Sequence, residues 1–360
     1  MNIVYIVEDF SENGGVEKIV SLKANLFAAK HQHQVTLISI YQDFRTQQFQ
    51  LDSSISLLQL NVPFAKKISN PISKLYSRIR TLTLAAKRLN KVINTINPDV
   101  IFFTTTLGAL LLPLCHNKAK KIYESHLARQ FNPYHALFLF MERKADKIIC
   151  LTQDDAKEYK VAKNVEVIPN FINLPTHTVK DYNCKKAIAV GRLETQKGFD
   201  RLINCWINVA QQHPDWQLDI YGEGSQHTAL QKQIDELKLN NQIKLCGRCE
   251  KMMDTYPNYS LHIMSSRYEG QPMVLIEAQA CGLPSVTFNF LYGASDIIQD
   301  KQNGLIIEQN NEPAFTQAIL KMMESPSLRE KYGKNSLYLA KKFSKENVFV
   351  QWQNLLNGLK

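Results

Sequence analysis

The chain alternates short apolar runs with longer stretches of helical periodicity, and that alternation leaves few folds open. IVYIV, VTLISI, DVIFF, KIYES and KIICL recur through the first half, and AIAVG, WQLDIYG, QIKLCG, LHIMSS and PSVTF through the second. Runs of this kind suit strands buried on both faces. Strands joined through helices build a parallel sheet covered on both sides. The series halts once, near VIPNFINLPTHTVKDYN, a stretch rich in Pro and Asn without helical periodicity. We therefore expect an α/β protein of two doubly wound, Rossmann-like domains facing across a cleft. Ligands of such sheets bind at the carboxyl ends of the strands. Residues 1–172 are assigned to the first domain and 173–342 to the second. Residues 343–360 read as a terminal helix, capped by Ser344 and anchored by Trp352, that packs back toward the first domain.

Composition agrees. A chain of 360 residues with 44% hydrophobic content has the apolar mass for two cores. MNIVYIVEDF meets acids at Glu8 and Asp9 and reads as a first strand, not a signal peptide. The longest clean apolar run, LGALLLPLC, falls well short of the ~20 residues a membrane span needs. Seven scattered cysteines include one CxxC, Cys246 and Cys249, without a second ligand pair for zinc. Reduced thiols in the cytoplasm are the expectation. The net charge is +10, and residues 1–172 carry most of it, with 22 Lys and Arg against 14 Asp and Glu. That bias points to a polyanionic partner of the first domain.

Three stretches could carry chemistry. In EDFSENGGVEKIV, Gly14 and Gly15 follow the first strand, where backbone N–H groups can approach an anion at a helix N-terminus. No GxGxxG occurs anywhere, so an ordinary dinucleotide-binding reading lacks its fingerprint. In VGRLETQKGFDRLI, Arg192 and Lys197 lie between a strand and a helix starting near Phe199, where two cations could neutralise a diphosphate. In RYEGQPMVLIEAQACGLP, Pro272 suits the first position of a helix over about 272–282, with Glu269 in the loop before it and Glu277 among apolar residues. A buried carboxylate needs a partner, either a structural cation or a ligand hydroxyl. Eight residues of helix rise about 12 Å, too far for the carboxyl pair of a retaining glycosidase but suited to two ends of a long polyhydroxylated ligand.

Together these stretches resemble the family 4 retaining glycosyltransferases, which have the two-domain GT-B fold. NGGVEKIV is similar to that family's N-terminal glycine loop, VGRLETQKGFDRLI to its diphosphate-binding segment, EGQPMVLIEAQACGLP to its E-x7-E element and NGLII to the strand that follows. The resemblance implies that Glu277 holds the ribose of a nucleotide sugar. Glu269 would face the transferred sugar, with the backbone of Gly270, Gln271, Pro272, Met273 and Val274 around it. Arg192 and Lys197 would hold the diphosphate, Gly14 and Gly15 would approach it, and the base would lie near Gly247 and Arg248. His126, in YESHLARQF, would position the sugar or acceptor, making His126, Arg192, Lys197 and Glu269 the catalytic set. The family needs no metal, so neither metal nor other cofactor is expected. The segment NFLYGAS keeps Tyr292-Gly293 but lacks the flanking prolines of many relatives that use UDP-hexoses. A UDP-hexose or UDP-N-acetylhexosamine is favoured over GDP-mannose as donor.

The expected activity is transfer of that sugar to a growing surface glycan, lipid-linked and in the cytoplasm. A nucleotide-sugar epimerase of the same architecture is the alternative. A nucleic-acid-binding role is disfavoured, because the basic residues lack interleaved aromatics. Residues 64–96 carry apolar residues at 72, 75, 79, 82, 86, 89, 93 and 96, one stripe along a helix. Lys66, Lys67, Lys74, Arg78, Arg80, Lys87, Arg88 and Lys91 accompany it, and 64–91 contains no acid. The stripe reads as packing on the sheet, and the basic remainder as a surface for the anionic inner face of the cell membrane.

Overall fold

The computed structural model describes residues 1–12, 14–31, 33–41, 49–63, 70–132 and 134–359. The chain divides into two compact units. The first holds Met1–Leu151 and Asp155–Ile168, and the second holds Thr152–Asp154 and Pro169–Gly358.

In the first unit, strands β1 (Asn2–Val7), β2 (Gln34–Tyr41), β3 (Ser56–Val62), β4 (Val100–Thr104), β5 (Lys120–Glu124), β6 (Lys147–Cys150) and β7 (Val165–Val167) form one parallel sheet in the order β3-β2-β1-β4-β5-β6-β7. The order reverses between β1 and β4, whose central residues are fully buried. Tyr5 and Phe102 stack across that junction with ring centroids 4.7 Å apart. Two of these strands lie outside the apolar runs. β3 is exposed along most of its length at the sheet edge, and β7 has three residues.

The second unit repeats the plan with β8 (Lys186–Val190), β9 (Gln217–Tyr221), β10 (Ile243–Gly247), β11 (Leu261–Met264), β12 (Ser285–Phe288) and β13 (Gly304–Ile307), in the order β10-β9-β8-β11-β12-β13. Its order reverses between β8 and β11. Trp206 and Trp216 fill the core on one face. The terminal helix Lys345–Asn357 belongs to this unit, with Ser344 Oγ accepting from Asn347 N at 3.2 Å and Trp352 buried.

The basic helix of the first unit spans Pro71–Ile96, while residues 64–69, Lys66 and Lys67 among them, lie outside the described residues. Its apolar stripe does not pack on the sheet throughout. Leu89 and Ile93 are sealed in the core, but Leu75 is 60% and Ile79 55% exposed. Length explains the difference: 26 residues of helix run about 39 Å, well past strands of three to eight residues. Among the described residues, no helix is long and apolar enough to cross a membrane. All seven cysteines are free thiols.

Candidate active site

In each unit the point where strand order reverses opens a crevice at the carboxyl ends of the central strands. In the second unit the loops after β8 and β11 meet there. The first loop carries Arg192 and ends in the turn Thr195–Lys197, and the second carries Arg267 to Pro272. Lys197 Nζ donates to Glu269 Oε1 at 2.7 Å, with the two side chains 13% and 7% exposed. The lysine stem crosses Gly191 so closely that an added Cβ there would lie 3.0 Å from Lys197 Cδ.

The two loops are bound together by groups that the motifs did not single out. Gln196 donates to Tyr268 O at 2.9 Å and its backbone carbonyl accepts from Arg267 N at 2.8 Å. Ser265 Oγ donates to Lys197 O at 3.0 Å. Arg267 forms a two-pronged pair with Asp200 at 2.8 and 2.6 Å, and also donates to Thr195 O at 2.6 Å. Arg201 donates to Ser265 O and Ser266 O at 2.8 and 2.6 Å while its guanidinium lies over Phe288. Gly198 has φ +66°, and a Cβ there would sit 2.2 Å from Ser265 O, so only glycine lets the loops close this tightly. Positioning of Lys197 and Glu269 is thus built into the backbone.

Arg192 is exposed at the edge of this site, 3.3 Å from Gln196 Oε1. Gly270 and Gln271 follow Glu269, and Gln271 Oε1 accepts from Asn170 N at 2.8 Å. Pro272 caps the helix Met273–Ala280 rather than opening it. The first N–H groups of that helix, at Met273 and Val274, have no partner within the helix by its geometry. Glu277 is half-buried, with Tyr256 Oη 3.5 Å from its Oε2. An eight-residue helix seals Leu275, Ile276, Ala278, Gln279 and Ala280 but leaves Glu277 at its margin, so the apolar run around Glu277 does not bury it fully. Gly247 closes β10 with φ +70°, and Arg248 beyond it is exposed. Tyr292, at φ +71°, leads into the short helix Ala294–Ile297. A bulky side chain in that region of φ marks stored strain.

In the first unit, Gly14 and Gly15 follow β1. The Gly14 Cα faces the Glu17 carboxylate, which an added Cβ would meet at 2.1 Å, whereas Gly15 faces open space. Burial and the nearby acids Glu12, Glu8 and Asp9 raise the Glu17 carboxyl above its ordinary range. His126 lies just past β5, its side chain 6% exposed and its Nε2 3.0 Å from Glu124 Oε1. Lys23, from the helix Gly15–His31, is ion-paired with the same oxygen. Burial and the Lys23 charge hold His126 well below its ordinary pKa, so the ring is neutral. Lys23 and Glu124 carry no motif. A lysine in a helical pattern reads as a surface group, and its partner is 101 residues away.

Two family models divide the chain between them. "Glycosyltransferase Family 4" matches residues 13–175, and "Glycosyl transferases group 1" matches residues 173–337. The chain belongs to glycosyltransferase family 4. The amylovoran biosynthesis glycosyltransferase AmsD of Erwinia amylovora is 28% identical over 99% of both chains. Among solved structures, the lipopolysaccharide outer core galactosyltransferase WaaB superposes with a TM-score of 0.83 at 17% identity, over 99% of both chains. A variant of Staphylococcus aureus TarM, solved with UDP, matches with a TM-score of 0.77 at 16% identity, over 99% of this chain and 100% of that one. These likenesses establish the GT-B fold of this glycosyltransferase, and they leave the epimerase reading without support.

Proposed function

We propose that this glycosyltransferase moves a hexose or N-acetylhexosamine from a UDP-sugar, with retention at the anomeric carbon, onto a lipid-linked glycan in surface-polysaccharide synthesis. The observation that carries the reading is the Lys197–Glu269 pair at the sheet reversal of the second unit. A cation and a carboxylate held side by side can each take one end of a sugar diphosphate. In the transfer, the C1–O bond to the diphosphate breaks and its electron pair stays on the leaving phosphate, where Lys197 and Arg192 stabilise it. The acceptor oxygen bonds C1 from the same face, and its proton passes to the departing diphosphate. Glu269 and the N–H groups from Gly270 to Val274 hold the sugar hydroxyls, and Glu277 holds the ribose. Gly14 and Gly15 approach the phosphates, Gly247 and Arg248 border the base, and His126 positions the sugar or acceptor. The protein cations take the place of a metal ion, so activity persists in EDTA; reversible loss restored by Mg²⁺ or Mn²⁺ would overturn that point.

Support for a lipid-linked acceptor and a cytoplasmic membrane surface comes from the first unit. At the carboxyl end of its sheet lies a cavity of about 380 Å³ lined by Glu8, Tyr41, Ile79, Leu107, Tyr134 and Leu137. Leu75, Tyr76, Leu137 and Phe140 are exposed near Lys74, Arg78, Arg143 and Lys144. The relatives AmsD and WaaB carry polysaccharide names that fit this assignment. The test is a panel of UDP-sugars against lipid-linked glycans, following UDP release and product anomer. Release in proportion to added acceptor is expected. An inverted product would defeat retention, and conversion of the donor without acceptor would restore an epimerase.

A further inference from the structure

A carboxylate beside a histidine ordinarily favours the imidazolium. The surroundings of His126 do the opposite. Glu124 Oε1 lies 3.0 Å from Nε2, yet the same oxygen is ion-paired with Lys23, and all three side chains are shut away, with Lys23 2% and Glu124 0% exposed. They come from three elements: the helix Gly15–His31, β5 and the loop after it. Beneath them, from β1, the Tyr5 ring lies 5.6 Å from Lys23 Nζ, and burial keeps its hydroxyl neutral. The arrangement is not saturated. Among the described residues, Glu124 Oε2, His126 Nε2 and the Tyr5 hydroxyl are sealed from solvent without a hydrogen-bond partner, because the Nε2 contact is short but off the hydrogen-bond axis. Of the two ring nitrogens Nε2 is the sealed one, so Nδ1 is the one a ligand can reach.

We propose that Lys23 and Glu124 are a positioning pair for His126: the carboxylate oxygen 3.0 Å from Nε2 draws the ring proton to that nitrogen, and the lysine cancels the carboxylate's charge. The ring is thereby oriented without being protonated, and Nδ1 presents a lone pair outward to a sugar or acceptor hydroxyl. A carboxylate alone would orient the ring but charge it. An apolar pocket would keep it neutral but leave its tautomer unset. Lys23 and Glu124 are the charged groups set against His126 among the described residues, so the balance rests on them. A stabilising role does not by itself account for the pair, since buried ion pairs are often replaceable by apolar residues at no loss of stability. The proposal rests on the reading of His126 as a residue of the sugar or acceptor site.

Nitrogen-detected NMR on the full chain reads the tautomer and protonation of His126 without any turnover. In the unchanged protein we expect a neutral ring with the proton on Nε2. Lys23→Met leaves an uncancelled carboxylate, so His126 titrates nearer neutrality and the acid limb of kcat moves up with it. Adding Glu124→Gln removes the charge but keeps the acceptor, and both properties return. Should Lys23→Met fail to fold, two uncharged pairs carry the test. Lys23→Met with Glu124→Gln keeps the Nε2–H tautomer and its kcat. Lys23→Met with Glu124→Leu loses the tautomer, and kcat falls about 10- to 100-fold, as for other partners that orient a histidine from behind. The KM for the nucleotide sugar stays put in both. A Met/Leu pair with full kcat, or an unmoved His126 titration in Lys23→Met, overturns the proposal. A fully active His126→Ala overturns the underlying reading of the site instead, and is told apart because the NMR responses of the pair would persist.

Discussion

Two lysine–glutamate pairs sit at corresponding ends of two sheets that share the order of six strands, and they differ in almost everything else. Lys197–Glu269 joins two loops and keeps some contact with solvent. Lys23–Glu124 joins a helix to a strand and keeps essentially none. The first pair can separate when a ligand supplies other partners, because water and the neighbouring backbone can take over the released charges. The second cannot, since parting it would leave an uncompensated charge in the core. A pair that keeps a window to solvent is an instrument for binding, and a sealed pair is an instrument for setting the state of what lies beside it.

The comparison breaks most readily at Lys197. Lys197→Ala removes a charge that matters most as the diphosphate departs, and kcat is expected to fall about 10²–10³-fold, with the thermal midpoint nearly unchanged. Full kcat in steady-state assays with the true substrates would show that this pair is no instrument for binding. A smaller effect sharpens the contrast from the sealed side. Asp155 of the first unit accepts from Arg129 N at 2.7 Å and Ser125 Oγ at 3.1 Å, and burial pushes its carboxyl up to about 6 from its ordinary 3.8. The folded state therefore binds the extra proton between those values. Its contribution to stability is present at the acid side and lost as pH rises toward 6, by up to about 3 kcal/mol. Denaturant titrations across pH 4–7 should show that slope, and Asp155→Asn should flatten it; an unchanged slope removes Asp155 as its source. The smallest effect concerns the exposed basic helix. Changing Lys74, Arg78 and Arg80 to Ser should cost about 1 kcal/mol each in binding to anionic liposomes at low salt. These three are preferable to Arg88, which donates to Leu60 O at 2.8 Å and has a structural task. Equal co-sedimentation of variant and parent would sink the membrane surface.

What could be read from the sequence follows the same divide. The two loops announced themselves, because cations followed a glycine at a strand end in Gly191, Arg192 and Lys197 and a carboxylate preceded a helix at Glu269, but the ion pair between loops 72 residues apart did not. The central strands were equally plain, being apolar on both faces. β3 was not, because an edge strand exposed along most of its length has no apolar run to display. Pro71–Ile96 showed its stripe but not where the sheet would end beneath it, which depends on strand lengths elsewhere. Lys23 and Glu124 were invisible. Their chemistry exists only once the fold brings together residues 101 positions apart. Gln196, Ser265 and Arg267 were hidden for a related reason, since they act by fixing backbone and not by carrying a recognisable group.

The unsupported half of that long helix has a consequence for how the molecule opens and closes on its own. An isolated helix shorter than about 12–15 residues is marginal in water, so the turns near Pro71 borrow their order from the turns held by Leu89 and Ile93. Amide hydrogens along the helix should therefore exchange as a ladder, fastest in the first turns and slowest beside Leu89. Anything that covers Leu75 and Ile79 would pull the lower rungs up toward the anchored ones. The helix is in this sense its own gauge, and deuterium uptake from residue 75 to residue 84 registers contact on that face without a label or a substrate.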